Sequence, residues 1–259
     1  MKKQIKLMSA SVLTLIVAGA LAPPASVLVE ADDVTYPGWG AVGFQVPTDP
    51  TDPVDPENPS EPIDPDDPDQ PGPPPGPGTP GPLSIDFASN FYFGSNNAIS
   101  ASNQTLNARL QPTLNDDGVA EERPNFVQVT DNRGTFAGWT LKVSATQFTV
   151  TDSSSPHHEE ELGGAQMSWS NGTIVSTSRY PADGHTASHT FFPGNEVNAM
   201  WATEDNGAGT NLLRFGTTSG TTPNASSSVQ LMVPGGAARE ALYMSTITWS
   251  LQDVPPNGD

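Results

Sequence analysis

Histidine and carboxylate side chains are the residues of this chain best suited to bind a metal ion. One run, His157-His158-Glu159-Glu160-Glu161, lies between a Ser-rich and a Gly-rich stretch. His185 and His189 are four residues apart, a spacing that places two side chains on one face of a β-strand. The run is typical of a solvated polar loop, and no third ligand accompanies the second pair. The sequence therefore predicts no metal site and no cofactor.

Motifs for nucleophilic or phosphate chemistry are also missing from the sequence. It contains no cysteine and no G-x-S-x-G elbow, and its glycines sit in turn-like contexts instead of between a strand and a helix. Asp116-Asp117-Gly118 and Asp205-Asn206-Gly207 lack the oxygen spacing of a calcium loop and are typical of turns. No carboxylate pair stands out for glycoside cleavage. We predict that the protein is not an enzyme.

Two Trp-x-Leu motifs lie in strand-like segments and organise the rest of the chain. Trp139 and Leu141 alternate with polar residues over 138–144, and Trp249 and Leu251 do the same near the C-terminus. A period of two with such residue types predicts half-buried β-strands. Each motif is therefore expected to send its Trp and Leu to one face of a sheet.

The sequence around these motifs resembles the WxL-domain surface proteins of Gram-positive bacteria. The resemblance covers three blocks: LSIDFASNFYFG at 83–94, RPNFVQVTDNRGTFAGWTLKVSATQF at 123–148, and 228–255 with its LYMSTITWSLQDVP. A preceding apolar leader and a Pro-rich acidic segment complete the pattern. The resemblance extends over about residues 83–259, with gaps.

The resemblance implies non-covalent attachment to the cell wall through peptidoglycan, and association with companion surface proteins. Two roles remain open for the motif residues Trp139, Leu141, Trp249 and Leu251. In the first, Trp139 and Trp249 lie on an exposed face and stack on the sugar rings or stem of peptidoglycan, while Lys142 or an arginine contacts peptide carboxylates. In the second, the motif residues build the core, because large apolar side chains belong inside. The alternative function is that of a secreted adhesin or carbohydrate-binding module for a host or plant polymer.

The N-terminal part of the chain divides into three segments before the domain. Residues 1–31 predict a signal peptide, with lysines followed by an apolar run too short to span a membrane comfortably. Residues 32–45 predict a mobile tail, and 46–82 a Pro-rich spacer. No later stretch predicts a transmembrane helix, and no Leu-Pro-x-Thr-Gly sorting signal follows. We expect a secreted protein associated with the cell wall.

The spacer carries a proline at every third position from Pro47 to Pro71 and nine acids without a base. Polyproline II repeats every three residues and rises about 3.1 Å per residue, and like charges favour extension, so this part could reach roughly 75 Å. The sequence therefore predicts a disordered, extended acidic stalk ahead of the domain.

The charge of the chain excludes one class of partner. The net charge is −19, and loss of residues 1–31 removes three lysines and one glutamate, which leaves −21. Nucleic acid is excluded, because its binding depends on cations that meet phosphate. The same negative charge argues against attraction at long range to an anionic wall, so we expect contacts that act at short range.

The remaining pattern predicts an all-β domain over 83–259, an antiparallel sandwich or barrel. Twelve short candidate strands are separated by turn dipeptides, among which Asn171-Gly172 predicts a hairpin. The alternation shifts phase between Val143 and Phe148, which predicts a bulge or turn near 145–147. One short helix is expected over 237–242.

Overall fold

The computed structural model describes residues 35–66, 76–115 and 117–256. The predicted signal peptide lies outside these residues, as do Asp116 and the 67–75 part of the spacer. The chain divides into two compact units, one up to Gly43 and the other from Phe44 onward. In the first unit, Tyr36 and Trp39 are exposed and the described residues form no strand.

Short strands make up nearly all the regular structure of the second unit. In chain order they are β1 (Asp64–Pro65), β2 (Leu83–Ala88), β3 (Gln104–Asn107), β4 (Gln111–Leu114), β5 (Ala120–Arg123), β6 (Phe126–Asp131), β7 (Trp139–Ala145), β8 (Thr149–Val150), β9 (Gln166–Trp169), β10 (Gly172–Ser176), β11 (Gly184–His185), β12 (His189–Thr190), β13 (Glu196–Ala202), β14 (Gly209–Phe215), β15 (Val229–Val233), β16 (Tyr243–Met244) and β17 (Ile247–Gln252). A single 3₁₀ turn, Ala225–Ser227, is the only helical element that the described residues contain.

Three antiparallel four-stranded sheets surround the main core. Their orders are β10-β14-β6-β2, β11-β13-β7-β17 and β12-β9-β15-β3. Each contributes buried residues to one cluster, for example Val129 from β6, Leu141 from β7 and Trp169 from β9. The predicted all-β antiparallel fold is confirmed, and the three sheets give it a barrel-like form.

The two Trp-x-Leu strands are neighbours in one sheet. β17 pairs antiparallel with β7, with Trp249 opposite Val143 and Leu251 opposite Leu141. Directly opposed residues share a sheet face, so both motifs point to the same core. Strand β7 ends at Ala145 and β8 begins at Thr149, which agrees with the predicted break near 145–147.

Strand β6 is buried along its whole length, because a second layer covers the face that points away from the main core. Phe126 of β6 packs with Phe87 and Leu212 in a smaller cluster that also takes in Ile63. The rings of Phe87 and Phe126 lie 4.7 Å apart. The covering layer is therefore supplied by the Pro-rich segment, and residues 51–66 are called the strap below.

The strap differs from the extended stalk that the proline spacing predicts. It turns back on itself, with an isolated bridge between Val54 and Pro62, and β1 pairs with β4 in the sheet β1-β4-β5. Val54 and Ile63 are the only apolar residues other than proline between Pro47 and Pro82, and both pack on the smaller cluster. Their burial supplies a driving force that proline periodicity does not reveal.

Two other local predictions are wrong, and two strands were not predicted. Asn171-Gly172 does not close a hairpin, because β9 pairs with β12 and β15 while β10 pairs with β14. Asn171 has a φ of 56° and turns the chain from one sheet to another. Residues 237–242 form no helix, and β4 and β5 are additional strands.

Candidate functional site

The first Trp-x-Leu motif is buried completely. Trp139 and Leu141 are 0% exposed, and the indole Nε1 of Trp139 donates to the carbonyl oxygen of Gly207 at 3.1 Å. Gly207 has a φ of +80°, and a Cβ at this position would lie 2.5 Å from that nitrogen. The indole thus fills a place that the opposite turn is shaped to receive, so stacking on a sugar would require the domain to open.

The second motif lies at the edge of the same core. Trp249 and Leu251 are half-buried and pack against the main cluster from β17, which is the terminal strand of its sheet. The structure therefore brings Trp139, Leu141, Trp249 and Leu251 together as packing residues.

Lys142 lies on the opposite face of that sheet. Its Nζ is 3.1 Å from Glu196 Oε2, and Ser250 Oγ donates to the other carboxylate oxygen of Glu196 at 3.2 Å. An exposed pair of this kind contributes little to stability, but it neutralises the lysine locally.

The histidines do not form a metal centre. His185 and His189 belong to different sheets, which corrects the prediction of a shared strand face. His189 instead lies between Trp169 and Phe191, and burial lowers its pKa. His157 contacts Glu160 on a surface loop. Across the described ranges, no group of three or more His, Asp or Glu is placed to hold a metal ion.

A cleft of about 400 Å³ opens beside the Trp-x-Leu sheet. Its two rims are the segment 90–99 after β2 and the segment 238–247 that leads into β17. Aromatic and aliphatic side chains line its floor and walls: Phe91, Phe93, Leu106, Phe148, Tyr243 and Ile247. Phe93 and Phe148 meet edge to face with their ring centres 6.1 Å apart, which fixes the rings that form one wall.

Polar groups converge on the same cleft. Asn97 donates its side-chain NH₂ group to the carbonyl oxygens of Phe93 and Gly94 at 3.0 and 3.1 Å, so its amide is held in place at the rim. The backbone N–H of Arg239 donates to the hydroxyl of Tyr243 at 3.0 Å. The exposed guanidinium of Arg239 also donates to the carbonyl oxygens of Gly236 and Ala238. These bonds hold the positively charged side chain at the mouth of the cleft. The cleft is thus apolar inside with amide, hydroxyl and guanidinium groups at its edge.

Sequence reasoning missed this cleft because its rims, 90–99 and 238–247, are offset by 148 residues in the chain. Two segments supply lining residues of the cleft: Phe91-Tyr92-Phe93 and Arg239–Tyr243. The first is typical of a strand end and the second of a short helix. No local spacing joins them.

A comparison with protein families identifies the chain. Residues 31–255 match the WxL domain, described as a surface cell wall-binding domain. No curated protein and no solved structure matches the chain. In the part of the chain that the structure describes, no helix is long and apolar enough to cross a membrane. Because the match covers most of the chain, including the strap, this protein belongs to the WxL-domain family of surface cell wall-binding proteins.

Proposed function

We propose that the domain binds peptidoglycan and holds the secreted protein on the wall without a covalent bond. The observation that carries the proposal is the aromatic cleft with Arg239 at its mouth. Ligand sites are commonly concave, mostly apolar and equipped with a few placed polar groups, and this cleft has each of these properties.

The lining of the cleft suits the two parts of peptidoglycan. The apolar faces of sugar rings pack on aromatic side chains, and the amide of Asn97 lies where a sugar hydroxyl or acetamido group can reach it. Stem peptides carry carboxylates, for which the guanidinium of Arg239 offers a planar pair of donors. A local cation of this kind allows contact at short range in a chain whose net charge is strongly negative.

This proposal gives the Trp-x-Leu motifs a positioning role. β17 follows directly from the cleft rim that contains Tyr243, and its pairing with β7 fixes that rim against the core. Association with companion surface proteins remains a prediction of the family resemblance.

Arg239→Glu is expected to weaken sedimentation of the whole chain with purified peptidoglycan at least about tenfold. The variant replaces a charge-assisted hydrogen bond, which contributes roughly 1.5 to 3 kcal/mol, by a like-charge contact with the stem carboxylate. Arg179→Glu is the matched control, because Arg179 is also exposed and lies over the ring of Tyr180 at 5.5 Å, away from the cleft. Equal retention of both variants on peptidoglycan would show that Arg239 does not contribute to binding.

The same assay separates the two candidate functions. Retention on peptidoglycan stripped of other polymers supports the proposal, whereas retention only on a host or plant polymer supports the adhesin alternative.

Salt is expected to leave wall binding unchanged or to strengthen it. The overall charge of the domain repels an anionic wall, and ions screen that repulsion over about 10 Å at 0.1 M. Sedimentation with peptidoglycan between low and high salt measures the effect. A steep loss of binding as salt rises would show that attraction between opposite charges dominates, contrary to this expectation.

A further inference from the structure

The carboxylate of Glu57, in the strap, occupies a polar pocket on the domain. Hydroxyl groups of Thr217, Thr218 and Ser219 donate to it, and so do the backbone N–H groups of Thr218 and Ser219 at 3.0 and 3.2 Å. The Nη1 atom of Arg214 lies 3.3 Å from one oxygen, and the Glu57 side chain is only 12% exposed. The loop 217–219 and Arg214 therefore form a carboxylate receptor.

The receptor favours the ionised form of its ligand. Burial acts to raise the pKa of Glu57, but the hydrogen bonds from Thr217, Thr218 and Ser219 together outweigh it and lower the pKa to about 2. Glu57 thus remains charged in its pocket throughout the physiological pH range.

A second set of contacts binds the backbone of the strap. Gln128 is fully buried; its Oε1 accepts from the N–H of Val54 at 2.8 Å, and its Nε2 donates to the carbonyl oxygen of Asp52 at 3.0 Å. Asp55 is buried as well, with its carboxylate 2.7 Å from Nε of Arg123. Recognition of peptide backbone by fixed groups and of side chains by pockets is how extended ligands are bound in general.

The surroundings of the strap retain hydrogen-bonding capacity that the strap does not use. Three buried polar atoms on bordering elements lack a partner among the described residues: Gln111 Oε1 on β4, Asn125 Oδ1 just before β6 and Arg214 Nε on β14. Buried polar atoms are normally paired, so these atoms mark elements around the strap whose hydrogen-bonding capacity is not fully used.

We propose that the surface beneath the strap is a docking groove for acidic, proline-spaced peptides, with the strap as its resident ligand. Loop 217–219 and Arg214 select a carboxylate, and Val54 sets the register. Asp-Pro recurs through the spacer, and two stretches combine a preceding apolar residue with a carboxylate just after the proline: Val54-Asp55-Pro56-Glu57 and Ile63-Asp64-Pro65-Asp66. Only the first supplies a glutamate, and that glutamate occupies the carboxylate receptor. The groove therefore holds the first stretch through its glutamate, whereas the second enters β1 and pairs with β4.

The test uses the full chain with a protease site inserted within 67–75. After cleavage, the nicked protein is expected to keep its strap through gel filtration. A fluorescent peptide of residues 47–66 is then exchanged into the nicked protein and followed by anisotropy, with unlabelled peptides as competitors. The Glu57→Gln peptide is expected to compete at least about tenfold less well than the native peptide. The Glu61→Gln peptide is the matched control, because the Glu61 side chain is exposed.

Two substitutions in the domain test the proposal without changing the peptide. Thr218→Val removes a donor to Glu57 and is expected to weaken binding of the native peptide. Thr222→Val changes an exposed threonine three residues beyond the loop and is expected to leave binding unchanged. Immediate release of the strap on cleavage would overturn the proposal. Equal competition by the Glu57→Gln and Glu61→Gln peptides would overturn it as well.

Discussion

A chain that begins at Gly76 is expected to be about 4 to 6 kcal/mol less stable than one that begins at Val46. Truncation deletes Val54 and Ile63 from the smaller cluster and uncovers the rings of Phe87 and Phe126. Burial of one aliphatic side chain contributes about 1.5 to 3 kcal/mol, so the apolar part alone accounts for most of the loss.

Polar groups of the domain lose partners in the same truncation. Arg123 loses the carboxylate of Asp55, and Gln128 loses its two bonds to the strap backbone. Gln128 also donates to Asp86, whose pKa is raised because burial outweighs the hydrogen bonds that it accepts. Water can replace the strap at these uncovered groups, so each lost bond costs only its net value of about 0.5 to 1.5 kcal/mol, which adds to the apolar loss.

Urea unfolding followed by tryptophan fluorescence measures this difference. A chain that begins at Thr35 is the control, since Tyr36 and Trp39 are exposed and their removal is expected to change stability by less than about 0.5 kcal/mol. Equal midpoints for the chains that begin at Val46 and Gly76 would show that the strap contributes no stability. The result also decides which fragment is suitable for wall-binding assays, because a fragment of 83–259 lacks the strap.

Trp139→Ala is expected to destabilise the domain by about 3 to 5 kcal/mol. The substitution removes a fully buried indole from the centre of the main cluster and leaves a cavity beside Ala202 and the Gly207 turn. It also removes the hydrogen bond from the indole to Gly207. Loss of that much free energy is a large part of the stability of an ordinary domain.

Thermal unfolding followed by near-UV circular dichroism checks this expectation. Trp39→Ala serves as the control, because Trp39 is 100% exposed and its loss removes a tryptophan without opening the core. Wall binding of the Trp139 variant is then measured below its own unfolding transition. If binding is lost while the near-UV signal stays native, Trp139 contributes to recognition and not only to packing.

Alternation in the sequence was sufficient to predict the main core but not its surroundings. Trp139, Leu141, Trp249 and Leu251 follow a period of two, and their opposed registers in β7 and β17 satisfy that pattern. The Asn171-Gly172 dipeptide predicted the turn but not its partners, because a positive φ at Asn171 serves a crossing between sheets as well as a hairpin.

The strap and the cleft required information that local patterns do not carry. Proline at every third residue is compatible with a rod and with a folded strap, and only the isolated apolar residues Val54 and Ile63 distinguish the two. Residues 46–82 therefore had a usable signal that composition concealed. The cleft had no such signal in the sequence, because its rims meet only when β17 pairs with β7.

The strap has a mechanical consequence for a protein held on a wall. Tension applied through the N-terminal tail would load the strap before the sheets of the core, because the strap precedes every strand of the three four-stranded sheets in the chain. Peeling of the strap, residues 51–66, would lengthen the chain by up to about 50 Å while the cleft and the Trp-x-Leu strands stay intact. Shear at the surface would thus be absorbed by extension before it reached the wall-binding domain.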